Sequence, residues 1–168
     1  MNLVTALAIV IGIMGGIATW LVLGPLGMLG LQIWIIFIAW ACFFHCGGGE
    51  AGLKASLPAL IWGAIMGTVA LAVIGSLGGA GGLFGIAAVV AVTVIILILG
   101  AHLPLLAAIP AGVYGYACAA AYGLLKADAV ALGFNPGTGV FTTVALSLIV
   151  GVILGWISGK IAAALVKG

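Results

Sequence analysis

Arginine is absent from this 168-residue chain, and charge of either sign is scarce: Lys54, Lys126, Lys160 and Lys167 stand against Glu50 and Asp128. Charged residues make up 4%, where a soluble domain has roughly 25%. Six charges cannot cover a water-facing surface, so a soluble fold is excluded. Four scattered lysines form no basic stripe able to neutralise phosphates, which excludes a nucleic-acid partner. One glutamate, one aspartate and no plausible Ser-His-Asp set leave too little acid–base machinery for an enzyme. No charge falls at mid-span, which argues against an ion-coupled pump, and the missing arginine argues against an anion clamp. Cysteine is limited to Cys42, Cys46 and Cys118, an odd number that suits no disulfide framework. Cys42 and Cys46 lie one helical turn apart with His45 beside them, an incomplete ligand set for zinc or copper. Packing as small hydrophobes is the better reading, and no metal or cofactor is expected. Met1 to Thr5 carry no basic side chain, as a cleaved signal would need, so the first apolar run is expected to remain as a helix.

What is abundant is apolar: 67% of the residues are hydrophobic and 29 are glycine. A membrane helix needs about 20 mostly apolar residues. A central lysine or aspartate costs about 2.5–3.5 kcal/mol where a leucine returns about 0.3–0.6, so charges mark span ends, as do glycine and proline clusters. The expected fold is all-α, a polytopic bundle forming one integral membrane domain. Its six spans run over 3–23, 29–46, 53–77, 83–101, 104–125 and 139–164. Lysine placement puts both termini in the cytoplasm, with Lys54, Lys160 and Lys167 inside and Lys126 outside. Trp20 and Trp156 fall toward span ends, where indoles favour the headgroup level.

The third and sixth spans match at an offset of 88. Ala59 to Gly67 (ALIWGAIMG) lies over Ser147 to Gly155 (SLIVGVILG), with five of nine positions identical. Three spans followed by three more would form an inverted repeat, with halves 1–80 and 81–168, a recurrent plan of transporters. A competing offset of 52 sets Pro58-Ala59 over Pro110-Ala111 and Gly63 over Gly115. Small residues recur four apart: Gly12 and Gly16; Gly63 and Gly67; Ala111, Gly115, Ala119 and Gly123; Gly151, Gly155 and Gly159. Such rows let backbones approach in lipid and leave faces for a homo-oligomer, a trimer by analogy with other small-solute channels.

Polar groups gather near one face. His45 ends the second span, Glu50 and Lys54 follow in the loop, and His102 ends the fourth span before Pro104. These three, His45, Glu50 and His102, are candidate linings of the inner mouth of a solute path. Interfacial histidines and an exposed Glu50–Lys54 pair at i,i+4 explain the same residues as well. Pro110 is expected to interrupt the fifth span. Tyr114 and Tyr122, two turns apart on that span, share a face. With Tyr116, Thr68, Thr93 and Ser147 they form either a narrow polar file, which makes Tyr114 a fourth candidate solute ligand, or ordinary interhelical hydrogen bonds.

Two stretches carry a resemblance. Phe43-Phe44-His45-Cys46-Gly47-Gly48-Gly49-Glu50-Ala51-Gly52-Leu53-Lys54 resembles the aromatic, Cys, Gly, Gly-Leu-Lys loop of the DUF1097 family of small bacterial inner-membrane proteins. Ile109-Pro110-Ala111-Gly112-Val113-Tyr114-Gly115-Tyr116-Ala117-Cys118-Ala119 is similar to that family's Pro-containing Gly-Ala-Cys helix. The chain departs from the pattern in its triple glycine and in His45. The resemblance implies a bacterial inner-membrane location and a multi-span helical fold, and no substrate. Two functional expectations stand together. One is a channel or facilitator for a small uncharged or weakly basic solute, of the urea, amide or ammonia kind. The other is a non-transporting scaffold or accessory subunit.

Overall fold

A computed structural model describes residues 1–167; Gly168 and the side chain of Lys167, one of the lysines used for orientation, lie outside the described residues. Among the described residues the fold is all-helical: α1 (Leu3–Leu23), α2 (Ile33–His45), α3 (Gly49–Ser76), α4 (Gly82–Leu99), α5 (Ile109–Leu125) and α6 (Val140–Lys167). Short 3-10 turns at Gly27–Leu29, Gly100–His102 and Pro104–Leu106 interrupt them. Four segments are long and apolar enough to cross a membrane: Leu3–Leu23, Gly49–Ser76, Gly82–His102 and Val140–Val166.

The second and fifth spans are shorter than expected. α2 has 13 residues and α5 has 17, about 20 Å and about 26 Å at 1.5 Å per residue, against a hydrocarbon core of roughly 30 Å. Before α2, the chain from Leu26 to Gln32 has no α-helix, only the 3-10 turn Gly27–Leu29, and Gly30 takes a left-handed conformation (φ 66°) with its backbone pressed on Gly137. Before α5, Pro104 holds Leu103 extended (φ −86°, ψ 125°), the conformation proline imposes on its predecessor. Pro110 does not break the helix. It sits in the first turn of α5, where its missing N–H is one of the orphan donors anyway.

The α2–α3 reversal also differs from expectation. Gly47, Gly48 and Gly49 all have positive φ (93°, 64° and 59°), so three residues without Cβ complete the turn and α3 starts at once. Glu50 and Lys54 therefore lie on the first turns of α3, not in a loop.

The helices pair through small residues. α3 runs parallel to α5 with backbones in contact: a Cβ on Gly63 would strike the carbonyl of Gly112, and one on Gly115 the carbonyl of Leu60. α6 runs parallel to α2 in the same manner, with Gly151 against Ile36 and Gly155 against Phe43. Lipid tails are as apolar as leucine, so close van der Waals contact holds these pairs together. α1 lies on α6 through Ala6, Val10 and Ala162, and α4 lies on α3, where the Trp62 indole donates to Leu97 O at 3.1 Å. The buried centre draws on Ile35, Cys42 and Phe43 of α2, Leu60 of α3, Cys118 of α5 and Leu148 of α6.

Candidate functional site

The packing of Ala6 on Ala162 puts the start of α1 and the last turns of α6 on one face, which also carries the end of α2 and the starts of α3 and α5. Two of the four sequence candidates meet there. His45 closes α2, Tyr114 lies about one turn into α5, and His45 Nδ1 is 3.1 Å from the Tyr114 hydroxyl. A third, Glu50, turns away from Lys54 and toward α6. The Trp156 indole N–H donates to Glu50 Oε1 at 3.0 Å, Lys160 Nζ is 3.9 Å from the same oxygen, and that ammonium lies 3.5 Å above the Trp156 ring. The start of a helix favours a carboxylate, and the cluster ties α3 to α6. His102 is exposed in its 3-10 turn and makes no hydrogen bond with these groups among the described residues.

The expected single file of tyrosines and hydroxyls is instead four separate arrangements. Tyr114 meets His45; Tyr116 shares a 3.0 Å hydrogen bond with Thr93 of α4; Thr68 bonds back to Ala64 O within its own helix. Tyr122 and Ser147 belong to a network on the opposite face. The Tyr122 hydroxyl donates to Gly137 O at 2.5 Å, Gly137 N–H donates to Thr143 Oγ1 at 2.8 Å, and Ser147 Oγ donates to Thr143 O at 2.8 Å. The Gln32 backbone N–H then donates to Ser147 Oγ at 3.0 Å, and its side-chain amide donates to Gly30 O at 2.9 Å. This network fixes the start of α2 against α5, α6 and the 126–139 loop. Beside it opens a notch of about 140 Å³ lined by Gln32, Trp34, Tyr122, Leu125 and Lys126.

At the rim of the notch Lys126 Nζ meets Asp128 Oδ1 at 2.8 Å. That hydrogen bond holds the Asp128 carboxyl below its ordinary pKa and lifts Lys126 above its own. A depressed carboxylate keeps its partner at neutral pH and loses it as the pH falls through the lowered value; a raised ammonium loses its partner only as the pH rises through the raised one. The pair is therefore intact across the whole neutral range. Carbon-detected NMR of the Asp128 carboxyl should titrate below the usual value of about 3.9 and return toward it in Lys126→Met. An unchanged midpoint in that variant would show that the pair does not form in solution.

Cys42 and Cys118 are buried and Cys46 half-buried, all with free thiols, and no group of metal ligands occurs among the described residues. Gln32 and Thr143 carry no site signal along the chain, beyond Gln32 being its only glutamine, and Trp34, deep in its span, reads there as a packing residue. Thr143 and Trp34 acquire meaning only through residues distant in the chain.

Residues 8–163 match the family described as protein of unknown function (DUF1097). The chain belongs to the DUF1097 family. The match spans nearly the whole helical bundle, so both the His45–Tyr114 contact and the notch lie within the DUF1097 region. Comparison with curated proteins and with solved structures finds no match.

Proposed function

We propose that this DUF1097 protein is a facilitator for a small uncharged or weakly basic solute in the bacterial inner membrane, with both termini cytoplasmic and six spans arranged as a 3+3 inverted repeat. The observation that carries this reading is the seam between α2 and α5. Its two ends are polar, His45 with Tyr114 at one and the Gln32–Tyr122–Lys126 notch at the other. Between them the residues are apolar or thiol and closed, with Ile35, Ala39, Cys42 and Cys118 buried.

The repeat is supported by matched packing. Each half reads as a long helix, a proline-associated 3-10 break, a short helix and a 28-residue helix. α3 packs on α5 as α6 packs on α2, and α4 lies on α3 as α1 lies on α6. Gly63 and Gly67 meet α5 where Gly151 and Gly155, their partners at offset 88, meet α2. The offset of 52 instead aligns α3 and α5, which lie side by side and place their prolines differently. A pathway near the two-fold axis of such a repeat is the usual transporter plan, and in this reading α2 and α5 exchange places across that axis. His45 and Tyr114 form the inner mouth, on the face that also carries Glu50 and His102, and conduction requires the halves to part along the seam. Nothing in this scheme needs catalysis or a cofactor.

A second reading, a scaffold or accessory subunit, draws on the shut centre and on the outward α1 stripe of Gly12 and Gly16, where a methyl group added to either glycine would meet no atom within 4 Å; that stripe would also serve a homo-oligomer, for instance a trimer. Proteoliposome swelling separates the two. The facilitator should carry acetamide, urea or ammonia faster than bare lipid. Tyr114→Phe or His45→Leu should each slow it about fivefold, the equivalent of one ordinary hydrogen bond. Folded protein that passes none of these solutes faster than lipid would leave the scaffold.

A further inference from the structure

The notch on the face opposite the start of α1 is smaller than the crevices elsewhere on the bundle and differs from them in composition, since those are lined almost entirely by aliphatic and aromatic side chains. Here five residues from the two halves bring together a side-chain amide, an indole, a phenol and an ammonium. Three of the indoles are engaged elsewhere: Trp40 donates to Ser158, Trp62 to Leu97 O and Trp156 to Glu50. The Trp34 N–H has no partner among the described residues. It is not among the fully buried polar atoms, so a ligand can reach it. Gln32 spends its N–H2 on Gly30 O, which leaves its carbonyl oxygen as an acceptor. Tyr122 spends its hydrogen on Gly137 O, which leaves the phenol oxygen as an acceptor too. Lys126 adds donors, but its charge is already matched by Asp128.

We infer that the notch is a binding site for a small neutral primary amide, of the acetamide or urea type. The ligand's carbonyl oxygen accepts from the Trp34 indole and the Lys126 ammonium, and its amide hydrogens go to Gln32 Oε1 and the Tyr122 oxygen. Each part of the assignment has a reason. A volume of about 140 Å³ is room enough for a solute of a few heavy atoms, since a cavity of similar size takes one benzene. Donors and acceptors occur in equal measure, which suits a group offering both. The Lys126–Asp128 pair leaves no unmatched charge, so a carboxylate gains little over water and an ammonium has no free counter-ion. The walls are held before the ligand arrives, because Gln32 is fixed through both its backbone and its side chain and Tyr122 through its hydroxyl. Preorganisation of this kind lowers the cost of binding. As the outer end of the seam, the site supplies a substrate class for the facilitator. Its role in transport rests on that reading, while binding does not.

The test is ligand-observed NMR saturation transfer on the full chain in detergent micelles, with acetamide as the probe and acetate as competitor. Acetamide should bind saturably with a Kd on the order of 1 mM, as a ligand of a few heavy atoms allows, and equimolar acetate should leave its signal unchanged. Trp34→Phe keeps the ring and removes the donor; Gln32→Leu keeps the bulk and removes the acceptor. Each should weaken acetamide about tenfold, with the helical circular dichroism unchanged. Wild-type affinity in the well-folded Trp34→Phe protein, no saturable signal from the wild type, or equal competition by acetate would each overturn the assignment. Proteoliposome swelling keeps the two proposals distinguishable. Binding without flux retains the site and removes the facilitator. Flux in the absence of any saturable binding removes the site and retains the facilitator.

Discussion

Gly63→Leu should prevent the bundle from assembling. In α3 this residue lies against the backbone of α5, and a first side-chain carbon there would strike the Gly112 carbonyl, with Tyr116 N 2.8 Å away. The obstacle is main chain, which cannot rotate aside as a flexible side chain can, so α3 and α5 must separate. Overpacking in a core costs about 1–3 kcal/mol when neighbours relax, and more when they cannot; here a loss of at least about 3 kcal/mol is expected, exceptional for one residue. Separation would also remove much of what binds the helices, since contact at small residues is the principal attraction available in lipid. Gly12→Leu supplies the comparison. It adds the same side chain on a helix of similar character, but at a position with nothing within 4 Å of the new carbon, so protomer stability should barely move. Reversible unfolding in mixed micelles, followed by circular dichroism, measures both. Equal stability of the two variants would mean that α3 and α5 do not approach as closely as the structure has them.

How far these features were legible beforehand depended on what each rests on. Composition alone implied an apolar helical bundle, because six charges leave no alternative. The ends of α1, α4 and α6 followed from charges and glycines with errors of a few residues. α3 starts four residues before the expected position because Gly47-Gly48-Gly49 has the composition of a loop, whereas three positive-φ residues turn the chain without one. α2 and α5 are shorter than expected because hydropathy cannot separate an apolar α-helix from an apolar approach built of 3-10 turns and extended chain, such as Leu26–Gln32 or Leu103–Ala108. Partners distant in the chain were not legible at all. His45 and Tyr114 were each identifiable as polar groups in an apolar context, but nothing along the chain paired them. Glu50 had an obvious local partner in Lys54 and yet engages Trp156, since both turns of α3 face water while the indole offers a fixed donor. Glycine rows were visible as spacing; that Gly63 is closed over and Gly12 is open required the packing itself.

Neither half of the chain should fold alone. Residues 1–80 contain α1, α2 and α3, but the close interfaces of these helices lie mostly outside that segment: α3 rests on α5 and α4, α2 on α6, and α1 on α6. Residues 81–168 are in the same position. Within the first half, the best-defined backbone approach is Gly52 beneath the Phe43 carbonyl at the α2–α3 turn, one contact at the edge of the bundle. Each fragment expressed alone should therefore insert as separate helices and be lost to aggregation or proteolysis. Because the halves interlock through Gly63 with Gly112 and through Gly151 with Ile36, expressing both together should restore a complex that co-purifies through a tag on one of them. The cut at 80–81 falls in the α3–α4 turn, where Gly78, Gly79, Gly81 and Gly82 have positive φ and open surroundings on most sides, so severing it removes a connection and little packing. Size-exclusion chromatography and limited proteolysis of the three preparations provide the readout. A monodisperse, protease-resistant 1–80 fragment running as a monomer would show that the tight contacts lie within a half. In that case the proposed two-fold relation between the halves would lose its physical basis.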